Sequence, residues 1–151
     1  MTRRAQTSDA EAIARLLHDF NAEYDDFTPG PEALAKRMRV LLARGDVTVV
    51  LAGDPPEGLA LMRFRPALWT DTLDCYLEEL YVVPDRRGQG IGRALMEAAM
   101  DVARYEGAAY MDLGTGHDDV AARALYEKLG FNNTEGKPDG PINYFYEREL
   151  S

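Results

Sequence analysis

Between Pro84 and Arg93 the chain reads Pro-Asp-Arg-Arg-Gly-Gln-Gly-Ile-Gly-Arg, with arginines wound among glycines at 88, 90 and 92. Glycine removes the side chain that keeps an anion away from the backbone and permits the positive φ angles that turn successive N–H groups inward. The residues from about Gly92 through Met100 continue as a helix, so unpaired N-terminal donors and the positive end of a helix dipole lie beneath the loop. Arg86, Arg87 and Arg93 add full charges around it. The chemistry this predicts is phosphate binding. A P-loop is excluded, because that motif needs Lys-Ser/Thr after its last glycine and here Gly90 is followed by Ile91-Gly92-Arg93. Asp112 lies about twenty residues on, as a dinucleotide fingerprint requires, but Gly88, Gly90 and Gly92 read G-x-G-x-G, not G-x-G-x-x-G. The turn also arrives past mid-chain, leaving too little sequence for a doubly wound fold.

The elements that must position this loop follow from periodicity and punctuation. Ser8 or Asp9 caps a helix whose Ile13, Leu16, Leu17 and Phe20 recur at helical spacing, ending near Tyr24. Pro31 opens a second helix carrying Leu34, Met38, Leu41 and Leu42, stopped by Gly45. The apolar runs Val47–Ala52 and Gly58–Phe64, joined by Asp54-Pro55-Pro56-Glu57, predict a hairpin. Tyr76–Val83 is the next strand and leads into the glycine loop and its helix, which ends near Gly107. A short strand at Ala109–Leu113, a helix over Asp119–Leu129, and strands at Phe131–Thr134 and Asn143–Glu149 complete the expected order.

Arg87-x-x-Gly90-x-Gly92 resembles the pyrophosphate loop of the GNAT N-acetyltransferase superfamily, and Glu79-Leu80-Tyr81-Val82-Val83-Pro84-Asp85 resembles that superfamily's fourth strand. Ala122-x-x-Leu125-Tyr126-Glu127-Lys128-Leu129-Gly130-Phe131 is similar to its second conserved block, a helix carrying a tyrosine followed by a Gly-Phe turn. The resemblance implies one N-acetyltransferase domain over residues 1–151 with an α/β (α+β) fold. Its mixed sheet would have six to seven strands, flanked by about four helices and splayed between the fourth and fifth strands. It implies acetyl-CoA as co-substrate, its pantetheine arm lying along Leu80, Tyr81 and Val82 like an added strand. Its phosphates would be held by Arg87, Gly88, Gln89, Gly90, Ile91, Gly92 and Arg93. Where the superfamily usually has asparagine this chain has Asp119, which suits a helix cap and leaves a weaker contact to the pantetheine.

Acetyl transfer to an amine needs the neutral amine, and deprotonating an alkyl ammonium of pKa ~10.4 at pH 7 costs roughly 4–5 kcal/mol. The segment Tyr76-Leu77-Glu78-Glu79 looks most like the diamine (spermidine/spermine) acetyltransferase branch. That likeness implies Glu78 as the base, with Glu79 helping to hold a cationic substrate. On a regular strand Glu79 would point away from Glu78, and a bulge would bring both to the cleft. Asp112 is the second choice for the base and otherwise a substrate contact. The alternative for the strand carboxylates is pairing with Arg63 or Arg65. Tyr126 is implied as the acid that serves the departing thiolate.

A chain of 151 residues with 46% hydrophobic and 28% charged content is that of an ordinary globular domain. Cys75 is the only cysteine, and with only His18 and His117 besides, no metal site is expected. The opening residues carry no apolar signal core and no window approaches a membrane span, so the cytoplasm is the expected compartment. A net charge of −9 argues against nucleic acid and favours cationic small molecules. Asp25, Asp26, Asp71, Asp74, Glu78 and Glu79 lie on segments that flank the acceptor cleft in the fold the resemblance implies. The expected activity is direct transfer to a primary amine, with a polyamine or aminoglycoside favoured. A peptide or protein amine, or an acyl-CoA sensor without turnover, are the alternatives. Neither a membrane nor a nucleic acid is an expected partner, and a homodimer is expected from the resemblance.

Overall fold

The computed structural model describes all residues from Met1 to Ser151, in two compact units, Met1–Leu113 and Gly114–Ser151. The first unit holds β1 (Thr2–Arg4), α1 (Ala10–Glu23), α2 (Pro31–Arg44), β2 (Thr48–Ala52), β3 (Gly58–Pro66), β4 (Leu73–Val82), α3 (Ile91–Tyr105) and β5 (Ala108–Leu113). The second holds α4 (Val120–Lys128). The strands form one five-stranded sheet in sequential order, antiparallel from β1 to β4 and parallel between β4 and β5.

The centre of the sheet is buried on both faces, β2 and the first half of β3 being buried at consecutive positions, not alternating ones. On one face Val49, Leu51, Leu59, Leu61 and Tyr81 meet Ile13 and Leu16 of α1 and Met38 of α2 in a continuous core. The alternate residues Val50, Ala60 and Met62 turn to the other face, and α3, with Leu95, Met96 and Ala99 buried, packs on β2, β3 and β4. Full burial of a leucine such as Leu51 or Leu59 contributes roughly 1.5–3 kcal/mol. Gly45 stops α2 as expected, in the left-handed region at φ 75°.

Five strands replace the expected six to seven. The segments 131–134 and 143–149 are not strands. Asn132 Oδ1 accepts from the backbone N–H of Thr134 and of Gly136 at 3.2 and 2.8 Å, a local turn that competes with a ladder. The single backbone hydrogen bond linking these stretches runs from Asn143 N to Asn133 O at 2.8 Å. Conversely, β1 was not legible: Thr-Arg-Arg has no apolar alternation, yet it pairs with β2 in the register Thr2↔Ala52.

The turn between β1 and α1 carries its own electrostatic lock. Both terminal nitrogens of Arg3 donate to Asp9, at 2.9 and 2.8 Å, and the Gln6 N–H donates to it at 2.7 Å. The Arg3 hydrogen bond is the main reason that the Asp9 carboxyl is lowered to about 2. A carboxyl with a folded pKa below its ordinary 3.8 stabilises the fold above that pH and loses the contribution as pH falls toward 2. Asp9→Asn is therefore expected to lower Tm at pH 7 by roughly 2–4 °C after allowance for solvent screening, and to leave Tm at pH 2 nearly unchanged. Equal Tm at pH 7 would remove this assignment.

Candidate active site

Pairing between β4 and β5 runs from Leu73↔Ala108 to Leu77↔Leu113 and ends there. Beyond it, Leu80, Tyr81 and Val82 pair only with Ala60, Leu59 and Gly58 of β3, so their outer edge is open. The two strands thus part where the resemblance expects them to. An open edge of this kind offers main-chain donors and acceptors to an extended ligand.

The chain then enters the glycine loop. Gly88 and Gly90 sit at φ 78° and 83°, and a Cβ added at either would meet nothing within 4 Å. Internal packing therefore does not demand glycine there; the backbone conformation and the emptied space do. The N–H groups from Gly88 to Arg93 find no acceptor in the protein, α3 has no side-chain cap, and its first turn holds no acid. The result is a concave run of free donors at the positive end of a helix, suited to a pyrophosphate.

The guanidiniums expected around the loop are present but spoken for. Arg86 pairs with Glu57 at 3.2 Å and Arg93 with Glu97 at 2.9 Å. Arg87 makes a two-pronged pair with Glu23 at the end of α1, at 2.8 Å on both arms, and its Nε donates to Val82 O at 2.9 Å. Its guanidinium also lies over the Tyr81 ring, 5.6 Å from the centroid. In this arrangement Arg87 ties α1 to the end of β4, and the free donors of the cradle are backbone amides. Gln89 reaches back to Asp85 O at 3.5 Å.

The carboxylates lie one strand-length away. The β3–β4 register pairs Leu61 with Glu79 and Met62 with Leu77, so Glu78 is an extra residue in β4. A bulge of this kind reverses the alternation locally. Glu78 and Glu79 consequently line the same cavity, of ≈ 260 Å³, with Leu17, Asn21, Thr28, Arg37, Met38, Leu61 and Arg63 among its walls. Glu78 accepts from Arg63 Nε at 2.5 Å, the pairing anticipated as the alternative to a catalytic role. Arg65 lies 3.7 Å from Asp74 and 3.8 Å from Asp112, whose Oδ1 is buried without a hydrogen-bond partner. Glu79 has no cationic partner. Burial, and secondarily the charge of Glu78, push its carboxyl up to about 7. Asp25, Asp26, Asp71 and Asp74, expected beside the acceptor cleft, do not line this cavity.

In the second unit Asp119 caps α4, its Oδ1 accepting from Ala122 N at 3.4 Å. Tyr126 is buried and its ring meets Phe131 edge-on at 6.1 Å. Burial first, then Asp119, push its hydroxyl up to about 12, so it stays protonated at neutral pH. Cys75 is fully buried with its thiol pushed up to about 11, which excludes it as a nucleophile. No group of residues that could hold a metal ion is present, and no helix is long and apolar enough to cross a membrane.

Two residues of the site hold roles that no spacing predicts: Glu23 and Arg37 occupy polar positions on amphipathic helices, where nothing in the pattern separates a site residue from a solvated one. Arg63 pairs with Glu78 as expected.

The model of the acetyltransferase (GNAT) family matches residues 13–131. An uncharacterized N-acetyltransferase of Bacillus subtilis is 32% identical over 138 residues, covering 89% of this chain and 91% of its own. The thialysine N-epsilon-acetyltransferase of Bos taurus is 27% identical over 146 residues, covering 86% of this chain and 82% of its own. Among solved structures, a candidate acetyltransferase from Arthrobacter sp. FB24 superposes with a TM-score of 0.90 at 44% identity, over 99% of this chain and 96% of that one.

Proposed function

The chain belongs to the acetyltransferase (GNAT) family, whose members use acetyl-CoA as co-substrate, and from that premise we propose that it acetylates a primary amine of a small acceptor by direct transfer. The observation that carries the reading is the sequence of sites along one strand: paired carboxylates in a cavity, then an open edge, then a cradle of free amides. A thioester lying along Leu80–Val82, with its pyrophosphate on Gly88–Arg93, has its acyl end directed back toward Glu78 and Glu79. The acceptor amine enters as a cation attracted by these carboxylates.

Glu79 takes the amine proton. It has no competing guanidinium, and a base whose pKa lies near the working pH combines availability with driving force. Glu78 is ion-paired with Arg63 and so is the occupied carboxylate of the two, adding only secondarily, after burial, to the raised Glu79 carboxyl. This division departs from the expectation that Glu78 is the base, and exchanging Glu for Gln at each position separates the two. The nitrogen lone pair attacks the thioester carbonyl, the C–N bond forms, the nitrogen of the tetrahedral adduct gives its second excess proton to solvent, and collapse of the adduct breaks the C–S bond. The electron pair leaves on sulfur, which accepts a hydrogen bond and then a proton. Tyr126, held protonated, is the proposed donor. Tyr126→Phe should lower kcat by about 10²-fold with acetyl-CoA Kd nearly unchanged, while an unaltered kcat would sink this role.

The finer acceptor class is a small primary amine, with polyamines, aminoglycosides and amino acids as the candidates to be separated. The thialysine acetyltransferase relative supports a small amine acceptor. A peptide amine is the alternative within the family. Thiol release measured over polyamines, aminoglycosides, amino acids and short peptides tests this. A rate confined to peptides would replace the small-acceptor reading.

A further inference from the structure

The acceptor cavity is not uniformly acidic, and its charges have a direction. Within it Arg63 and Glu78 neutralise one another. That leaves one unpaired anion, Glu79 on β4, and one unpaired cation, Arg37 on α2. The other arginines of α2 are occupied, Arg39 with Glu11 at 3.8 Å and Arg44 with Asp46 at 3.1 Å, whereas Arg37 makes neither an ion pair nor a hydrogen bond. α2 itself carries Lys36, Arg37, Arg39 and Arg44 against the single acid Glu32, an inversion of the chain's net charge of −9. A cationic helix beside the cavity is a poor wall for a polycation, since a second ammonium would face an uncompensated guanidinium.

We propose that the acceptor carries a free carboxylate as well as its amine, and that Arg37 binds the carboxylate while the amine sits against the Glu78–Glu79 bulge. The substrate class is thus an amino acid with a side-chain or terminal primary amine. Arg37 is the specificity-determining residue. A guanidinium binds a carboxylate by two parallel N–H···O bonds, which fixes orientation as well as affinity. A cavity of ≈ 260 Å³ accommodates such a molecule. Apolar walls from Leu17, Met38 and Leu61 suit a methylene chain between the two charged ends.

This inference rests on the transferase reading, and acceptor pairs differing only in the carboxylate separate the two. Thiol release from acetyl-CoA is measured with L-lysine against cadaverine and L-ornithine against putrescine, for the wild-type protein, Arg37→Gln and Arg37→Lys. The expected result is a kcat/KM for the amino acid at least tenfold above that of the matching diamine. Arg37→Gln should then collapse that ratio toward one, through a rise in KM of roughly tenfold to a hundredfold for the amino acid, with Arg37→Lys partly restoring it. Diamines turned over as well as their amino acids, or a ratio unmoved by Arg37→Gln, would overturn the proposal and leave the transferase intact. No thiol release from any acceptor by the wild-type protein would overturn the transferase reading and this inference together.

Discussion

Glu79→Gln is expected to lower kcat by about 10²–10⁴-fold while acetyl-CoA affinity stays within about twofold, because the substitution removes a proton acceptor and leaves the cofactor loop untouched. The pH dependence supplies a signature independent of the size of the loss. Glu79 must be ionised to act, and its carboxyl is pushed up to about 7, so kcat/KM should climb with pH through that region. The variant should lose this limb of the profile. The same group makes an opposite prediction for stability. Its folded pKa exceeds its ordinary 4.5, so between those values the native state holds the extra proton and stability declines as pH rises. Glu79→Gln should flatten that decline in Tm measured from pH 4.5 to 7.5. If Glu78→Gln removes turnover and the pH limb while Glu79→Gln spares both, the base is Glu78 and the division of roles proposed for the bulge is wrong.

The second large effect is at Gly90, where valine should weaken acetyl-CoA binding by roughly tenfold to a hundredfold for each phosphate hydrogen bond lost. A left-handed conformation costs a side-chain-bearing residue roughly 1–2 kcal/mol, and a β-branched one is among the least tolerant. Gly90 lies at φ 83°. The new side chain would also stand in the space that no protein atom fills, so the fold is left whole and the ligand is displaced. Gly45→Val is the matched control, since Gly45 has φ 75° and equally open surroundings at the end of α2, away from the loop. It should share the loss in Tm without the loss in affinity. Calorimetric Kd for acetyl-CoA, beside Tm for both variants, makes the comparison. Equal affinities in Gly90→Val and the wild-type protein would show that the loop does not hold the cofactor.

Much of this arrangement is written locally in the chain. The glycines, the helix they precede, the proline and glycine that bound α2 and the hairpin around Asp54-Pro55 each follow from φ preference and periodicity. What was not legible depends on partners distant in sequence. β1 is a strand because β2 offers it an edge, not because Thr2-Arg3-Arg4 favours extension. The closing segments carry aromatics, Phe131 and the consecutive Tyr144-Phe145-Tyr146, but no partner ladder, so composition alone overcounted the strands. The pairing of Arg87 with Glu23 joins residues that no spacing rule connects, and it leaves the backbone amides of the expected cradle as the loop's unpaired donors. The carboxylates show both sides of this limit. Their presence at 78 and 79 is plain from sequence, but the bulge that turns both into one cavity depends on the register with Leu61 and Met62.

In the proposed mechanism one strand carries a bound thioester to a carboxylate that activates an amine. Its most direct test is simultaneous measurement of free thiol and N-acetylated product from acetyl-CoA and a primary-amine acceptor, by the wild-type protein and by Glu79→Gln. Thiol and acetylated amine in equal amounts, both dependent on the amine and both suppressed in the variant, is the predicted result. Tight acetyl-CoA binding with no amine-dependent thiol from any acceptor, or thiol release that Glu79→Gln leaves untouched, would contradict it.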